Sequence, residues 1–294
     1  MNQTINYLKL GGTLFIPASH KNLNEILYHN KYPELKSLVV DFEDGLEQAE
    51  LSSAYKIVKS LLDKRQSKSL YLFLRPKDQN HLKELLKISS IDTVDGFILP
   101  KFSLTNAQEY LELLEGTNFY IMPSIEGKEL FDSEKLQCLK KLLITNKQKI
   151  LLVRFGLEDM LRQLAMRRGC DESIFDFSVT NVVLGNFLSI FKSEGFAISG
   201  GVYPCFKDEE GFKKDVLRDL KEGLFSKTII HPNQIAVVNE LYKVNESEYK
   251  EAREMQERTQ VVFNQNGKMA EKHTMLGYSE LVLQRAEIYG IKNR

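Results

Sequence analysis

The chain has 294 residues, of which 43% are hydrophobic, and this is enough for one large domain or two small domains with a sizeable core. The 40 Lys and Arg residues balance 40 Asp and Glu residues, so the formal net charge at pH 7 is zero. Nucleic acids and anionic membranes select basic surfaces, so this balance argues against either of them as a partner.

The three cysteines, Cys138, Cys170 and Cys205, form neither a disulfide framework nor a CxxC metal pattern. We therefore expect inert packing thiols in a reducing compartment. The N-terminus lacks a basic start followed by a long apolar run, and no apolar stretch reaches the roughly 20 residues that cross a bilayer. The sequence predicts a soluble cytoplasmic protein.

Eight short runs of β-branched and aromatic residues alternate with amphipathic segments, which is the pattern of parallel strands joined by crossover helices. The predicted strands span 13–18, 37–44, 69–76, 95–101, 118–126, 149–156, 195–203 and 227–232. Eight such alternations favour an α/β fold of the TIM (β/α)8 barrel type over residues 1–232. An open doubly wound sheet is the alternative, but no GxGxxG motif follows the first strand.

The pattern changes after the last predicted strand. Helical segments at 233–243, 247–264 and 274–289 follow, with a turn at Asn266 and Gly267 and no strand signal. The segment 233–294 is too short for an independent domain. We expect a helical C-terminal extension that packs on the barrel or on a neighbouring subunit.

Polar residues end the predicted strands, where a barrel places its catalytic groups. They are Ser19, His20, Glu43, Asp44, Arg75, Lys101, Glu126, Glu158, Asp159, Tyr203 and His231. Several acids and cations, without a serine paired to a base, favour a cation-assisted reaction on an anionic substrate over a hydrolytic triad.

Glu126 and Asp159 end successive strands, and carboxylates there can supply two oxygen ligands to Mg²⁺. The alternative is that both cap the N-termini of the following helices. Glu43 and Asp44 have the same alternative, and their functional interpretation is support of the metal site.

Arg75 ends an apolar strand, where a permanently charged guanidinium requires an anion. Asp41, Glu43 or a substrate carboxylate could supply it, and we favour the substrate. Lys101 is a weaker candidate for binding substrate because it can equally be a solvated strand end. His231 precedes a proline and is more typical of a structural histidine.

Seven motifs, taken together and in this order, resemble the citrate lyase β-subunit (CitE-like) family of the HpcH/HpaI aldolase superfamily, as a divergent branch. They are LFIPAS at 14–19, VVDFEDG at 39–45, FLRP at 73–76, FILPK at 97–101, MPSIE at 122–126, FGLEDM at 155–160 and KTIIHPNQI at 227–235.

The resemblance implies a TIM barrel that binds Mg²⁺ through Glu126 and Asp159 and holds a substrate carboxylate or carbonyl near Arg75. It also implies a homo-oligomer, a trimer or a multiple of it, in which a carboxylate after a G-x-M element completes a neighbouring subunit's site. Here GKMAE places Glu271 at that position. The alternative is a solvated Glu271 between two lysines. Arg154 departs from the family, which has an apolar residue there.

The implied reaction is carbon–carbon bond cleavage or formation in a small carboxylate, with a β-hydroxyacyl-CoA thioester as one form of substrate. Two alternatives stay open: a pyruvate-type aldolase on free keto acids, and a non-catalytic homologue that binds metal or ligand. CoA phosphates would need a cationic rim. Its candidates are His20, Lys21, Arg162, Arg167 and Arg168.

Overall fold

The computed structural model describes residues 5–66, 69–170, 172–265 and 267–292. They form two compact units that divide between Ile235 and Ala236, whereas the sequence pattern ended the barrel at residue 232. The first unit contains the large sheet and the second contains most of the C-terminal segment.

Seven parallel strands form the sheet of the first unit, in the order β6-β5-β4-β3-β2-β1-β7. Isolated parallel bridges then join the two edges, because residues 198–202 pair with the chain at Val153 on one side and at Phe225 and Thr228 on the other. The sheet therefore closes on itself, and the predicted (β/α)8 barrel is confirmed. The strands are β1 (Thr13–Pro17), β2 (Ser37–Asp41), β3 (Tyr71–Arg75), β4 (Gly96–Leu99), β5 (Tyr120–Ile125), β6 (Arg154–Phe155) and β7 (Thr228–Ile229).

Helices connect these strands across the outside of the sheet. The amphipathic segments of the sequence, 46–63, 79–89, 106–114, 128–145, 177–192 and 209–222, did not include α1 (Leu23–Tyr28) or α6 (Leu157–Gln163). The helices are α1 (Leu23–Tyr28), α2 (Leu51–Leu62), α3 (Gln79–Leu85), α4 (Ala107–Leu113), α5 (Ser133–Ile144), α6 (Leu157–Gln163), α7 (Ser178–Lys192) and α8 (Glu209–Lys221).

Strand register fixes which polar side chains become neighbours at the carboxyl ends of the strands. All five residues of β2 are buried, as expected for a parallel strand covered on both faces. The β2–β3 register places Asp41 beside Arg75, and the β5–β6 register places Ser124 beside Arg154. Inside the sheet, apolar side chains such as Val39 form the core below these positions.

The C-terminal segment is only partly helical. The sequence pattern predicted no strand here, and this prediction is wrong, because β9 and β10 form an antiparallel hairpin and β8 pairs with β11. Strands of two to four residues are too short to show alternation. Asn266 lies outside the described residues, and Gly267 adopts φ +80° in the hairpin turn. The elements are α9 (Gln234–Leu241), β8 (Val244–Asn245), α10 (Glu246–Glu257), β9 (Val262–Gln265), β10 (Lys268–Glu271), α11 (Lys272–Tyr289) and β11 (Ile291–Lys292).

Two cysteines are bonded to each other. Cys170 and Cys205 form a disulfide with their Cα atoms 5.6 Å apart, so the prediction of inert thiols is wrong for this pair. The pairing depends on two loops meeting in space, which sequence spacing does not reveal. Cys138 is free and exposed. Among the described residues, no helix combines the length and apolarity needed to cross a bilayer.

Candidate active site

A cavity of about 480 Å³ opens at the carboxyl ends of the strands. This is the size of a small-molecule site, and the carboxyl ends are where TIM barrels hold their active sites. Five carboxylates and three guanidiniums line it. They are Asp41, Asp44, Glu126, Glu158, Asp159, Arg75, Arg154 and Arg162.

Glu126 directly follows β5 and is buried, with 7% of its surface exposed. Its Oε1 accepts the backbone N–H of Lys101 at 2.8 Å, and its Oε2 accepts the hydroxyl of Ser124 at 2.9 Å. Burial raises the pKa of Glu126, and the nearby charge of Asp159 raises it further. The two carboxylates line the same cavity and repel one another, and a cation bound between them would relieve this repulsion.

Lys101 orients Glu126 through its backbone. Its φ of +46° lies in the left-handed region, which non-glycine residues adopt rarely and which is frequent at functional sites. This conformation turns its N–H toward Glu126, while its Nζ lies 2.7 Å from Oε1 of Glu43. Lys101 itself is not among the residues lining the cavity.

Asp159 lies in the first turn of α6, where Nη1 of Arg162 approaches Oδ1 at 2.8 Å. Neither Asp159 nor Glu126 caps a helix. The N-cap residue of α6 is Gly156, and the N-cap residue of the short helix after Glu126 is Gly127. Neither helix has a side-chain capping bond. The capping role falls to other acids, Asp78, Asp132 and Asp208. The geometry thus lacks the bonds that the capping interpretation requires.

Arg75 is held by residues of the protein itself. Its Nε and Nη2 atoms donate to the two oxygens of Asp41 at 2.6 and 2.7 Å. Its Nη1 lies 3.0 Å from Oε2 of Glu43, and Nη2 also lies 3.4 Å from Oδ2 of Asp44. The sequence favoured a substrate carboxylate over Asp41 or Glu43 as the partner of Arg75. In the structure, Asp41 is the partner that binds both sides of the guanidinium. Burial lowers the pKa of Arg75, but the hydrogen bonds that it donates to Asp41 and the negative charges of Asp41, Glu43 and Asp44 together outweigh burial, so the net change is upward.

Glu43 lies between Arg75 and Lys101 with a side chain that is 4% exposed. Burial raises the pKa of Glu43 to about 7, against the opposing effect of Arg75. Glu43 does not line the cavity, whereas Asp44, with 56% of its side chain exposed, does. Neither caps the following short helix, whose N-cap is Glu47.

The remaining predicted residues lie elsewhere. His20 accepts the N–H of Asn22 and does not line the cavity. His231 stacks on Phe206, with ring centroids 4.6 Å apart. Glu271 is an exposed residue at the end of β10 in the second unit.

A buried ionic network lies behind the cavity, and sequence reasoning missed it. Arg168 contacts Glu158 at 2.5 Å and Asp215 at 3.4 Å, and the fully buried Lys227 binds Asp215 and Asp219. The spacing of the two aspartates, four residues apart on one face of α8, was the available signal. Arg168 is therefore buried and paired with carboxylates of the protein. The prediction that it belongs to a cationic rim for CoA phosphates is wrong.

The donor set fits Mg²⁺ better than zinc. Among the described residues, no group of three or more His, Cys, Asp or Glu side chains could hold a metal. Zinc sites draw three or four ligands from the protein. Mg²⁺ is commonly held by one or two carboxylates, with water and substrate oxygens completing the octahedron. Glu126 and Asp159 provide that smaller set.

A closed parallel barrel with carboxylates and guanidiniums gathered at its carboxyl end defines a TIM-barrel enzyme suited to anionic substrates. Residues 4–291 match the family model described as C-C_Bond_Lyase of the TIM-Barrel fold, and the chain belongs to this family. The assignment as a carbon–carbon lyase, made from the seven motifs, is confirmed.

Three similar proteins illustrate the relationship. The citrate lyase subunit beta of Haemophilus influenzae is 24% identical over 93% of this chain and 96% of its own length. A (3S)-malyl-CoA thioesterase of Cereibacter sphaeroides is 22% identical over 72% of this chain and 70% of its own length. The structure of CitE from Mycobacterium tuberculosis with magnesium, acetoacetate and coenzyme A superposes with a TM-score of 0.70 at 19% identity, covering 96% of this chain and 99% of that chain.

Proposed function

We propose that this protein is a Mg²⁺-dependent lyase or aldolase that breaks or forms a carbon–carbon bond in a small carboxylate. The observation that carries the proposal is the convergence of Glu126 and Asp159 in one cavity at the carboxyl end of the barrel. The CitE structure of M. tuberculosis was solved with magnesium, which supports the choice of metal.

Glu126 and Asp159 would hold the cation, which would supply Lewis-acid stabilisation of negative charge on a substrate oxygen. Asp44 reaches the cavity and is the candidate for proton transfer to or from the substrate hydroxyl. Glu43 does not line the cavity and has a positioning role, because its ion pairs hold Arg75 and Lys101 in place. Arg75 has most of its donors committed to Asp41, Glu43 and Asp44, so it orients these acids and offers the substrate at most a remaining N–H.

Acyl-CoA thioesters and free keto acids both stay open as substrates. The malyl-CoA relative and the CoA-bound CitE structure support a thioester. Lys21, Arg162 and Arg167 are exposed and could meet CoA phosphates, whereas Arg168 is buried. A non-catalytic homologue is disfavoured because both metal carboxylates are present.

The proposal includes a homo-oligomer, a trimer or a multiple of it, in which Glu271 completes the site of a neighbouring subunit. The hairpin that carries Glu271 exposes apolar side chains, Val262 at 56% and Met269 at 83%, as a segment that contacts another subunit would. A cytoplasmic location stays part of the proposal, although the Cys170–Cys205 disulfide is a bond that oxidising compartments favour. Neither nucleic acid nor membrane is proposed as a partner, given the zero net charge.

A thermal-shift screen with Mg²⁺ tests the proposal, using CoA thioesters, free keto acids and nucleotides. A ligand at a hundred times its Kd stabilises the folded protein by about 2.7 kcal/mol. We expect a hit among thioesters or keto acids that disappears in Glu126→Gln. Hits confined to nucleotides, or thioester and keto-acid hits that are as strong without Mg²⁺ and in Glu126→Gln as in the Mg²⁺-loaded wild type, would contradict a metal-dependent lyase.

A further inference from the structure

Arg154 lines the cavity with a guanidinium nitrogen that has no hydrogen-bond partner. The residue is buried, with 5% of its surface exposed. Its Nη2 donates to the hydroxyl of Thr228, but its Nη1 has no hydrogen-bond partner, and no carboxylate among the described residues lies within the 4.0 Å salt-bridge distance. Burial, and then the nearby charge of Arg75, lower the pKa of Arg154 to about 9 against the smaller opposing effect of Glu126, so the group is still charged at neutral pH.

The other two guanidiniums of the cavity differ from Arg154 in this respect. Arg75 has Asp41 as a two-oxygen partner, and Arg162 has Asp159. A buried, unpaired cation is costly, and proteins keep such groups where function requires them. Arg154 therefore has unused binding capacity for an anion that enters the cavity.

The surroundings of Arg154 suit a carboxylate. Ser124 lies beside it in the strand register, and the hydroxyls of Ser199 and Thr228 also line the cavity. The ring of Phe15 packs 4.9 Å from its Cζ and limits the movement of the guanidinium plane. The free Nη1 of the guanidinium can donate to a carboxylate oxygen of a ligand. The hydroxyls of Ser124 and Thr228 already donate to Glu126 and to the carbonyl of Gly200, so the guanidinium is the donor that remains.

Arg154 lies deeper in the barrel than the two metal carboxylates. Its register partner Ser124 precedes Glu126 by two residues, so the side chains of Ser124 and Glu126 point to the same face of the sheet. Two residues of a strand span about 6 to 7 Å. A molecule that meets Glu126 at one end can thus reach Arg154 with the other end, provided that its chain is short.

We propose that Arg154 binds a second carboxylate of the substrate at the floor of the cavity, and that the substrate is a short-chain di-acid. This inference deepens the proposed function and rests on it, because Glu126 and Asp159 hold the first end of the molecule through the metal. Arg154 is then the residue that selects di-acids over mono-acids of the same length.

Matched pairs of probes test the selection by calorimetry on the Mg²⁺-loaded protein. In each pair, a 2-oxo di-acid is compared with the 2-oxo acid that has a methyl group in place of the distal carboxylate. The pairs are oxaloacetate with 2-oxobutanoate, 2-oxoglutarate with 2-oxopentanoate, and 2-oxoadipate with 2-oxohexanoate. We expect the wild-type protein to prefer at least one di-acid by about tenfold or more.

Arg154→Met should abolish this preference while it leaves the affinity for the mono-acid within about threefold. Arg154→Lys, which keeps the charge but not the fork, should retain part of the preference. A preference that persists in Arg154→Met, or its absence from all pairs in the wild type, overturns the proposal. If Arg154→Met does not fold, an undiminished preference in Arg154→Lys overturns it instead.

A metal-free comparison separates this inference from the proposed function. Succinate should raise the Tm of the wild type without Mg²⁺ more than butanoate does, and Arg154→Met should remove the difference. Should the Glu126→Gln and Asp159→Asn variants still bind Mg²⁺ normally, the metal site is wrong, yet the succinate result still decides the role of Arg154. Equal shifts from both probes would count against Arg154 as a carboxylate site.

Discussion

A Cβ atom on Gly156 would lie 2.3 Å from the Cβ of Glu126, closer than two carbon atoms can approach. The φ of Gly156 is −82°, so the backbone is open to any residue and the requirement is one of space alone. This contact lets the start of α6, which carries Asp159, lie directly against the end of β5. The spacing of the two carboxylates therefore depends on Gly156.

Gly156→Ala should move Glu126 and weaken Mg²⁺ binding at least about tenfold, with a loss of stability of about 1 to 3 kcal/mol from overpacking. Calorimetry with Mg²⁺ and urea unfolding measure the two effects. Gly185→Ala is the matched control, because Gly185 lies in α7 with nothing within 4 Å of the added Cβ. It should gain about 0.5 to 1 kcal/mol and leave Mg²⁺ binding unchanged. Equal Mg²⁺ affinity in both variants would contradict the argument.

Glu126→Gln and Asp159→Asn each preserve the shape of the side chain and remove its charge. Each should abolish detectable Mg²⁺ binding, because the site has two protein carboxylates and Mg²⁺ requires anionic oxygen ligands. Calorimetry at neutral pH measures the loss. Glu115→Gln, a change at an exposed residue outside the cavity, serves as the control and should bind as the wild type does. Normal binding in both site variants would refute the metal assignment.

The buried carboxyl of Glu43 should make stability depend on pH. Its pKa in the folded protein is raised from 4.5 to about 7, so between these values the folded state holds a proton that the unfolded state has lost. The contribution of Glu43 to stability therefore falls as the pH rises from about 4.5 to 7.

Glu43→Gln removes this contribution, and the difference in Tm between variant and wild type should shift in favour of the variant across that pH range. Thermal unfolding of the metal-free protein at several pH values measures it. Glu115→Gln, an exposed change, should give a pH-independent difference. A difference for Glu43→Gln that is flat with pH would show that Glu43 titrates normally.

The Cys170–Cys205 disulfide closes a loop with a sequence separation of 35 and should stabilise the protein by about 3 to 4 kcal/mol on chain-entropy grounds. Urea unfolding with and without reductant measures this for the wild type. Cys138→Ser should keep the full reductant effect, whereas Cys170→Ser should show none. Three reactive thiols in the native, unreduced protein, where one is expected, would show that the bond does not form.

The proposed sharing of the active site can be tested by mixing subunits. Glu126→Gln and Glu271→Gln homo-oligomers should each be inactive on the substrate that the screen identifies. Mixed oligomers should regain activity, because some sites then combine an intact Glu126 with a neighbour's intact Glu271. Light scattering provides the oligomer size. A monomer, or full activity of Glu271→Gln, would leave Glu271 as a solvated surface residue.

The sequence alone predicted the barrel and the candidate metal carboxylates, because both depend on local pattern. Strand runs and their turns recur along the chain, and Glu126 and Asp159 stand where those runs end, at the edge where parallel strands gather their side chains. The MPSIE and FGLEDM motifs added the family, which the match over 4–291 confirms.

Which charged side chains form ion pairs depends on contacts between distant parts of the chain. Arg75 and Arg154 both end apolar runs in sequence, yet strand register gives Arg75 the carboxylate of Asp41 and gives Arg154 a serine neighbour. The sequence also did not predict the Cys170–Cys205 disulfide or the buried partners of Arg168. Propensity and periodicity are properties of neighbouring residues, whereas ion pairing and burial are set by side chains that the closed barrel brings together from distant parts of the chain.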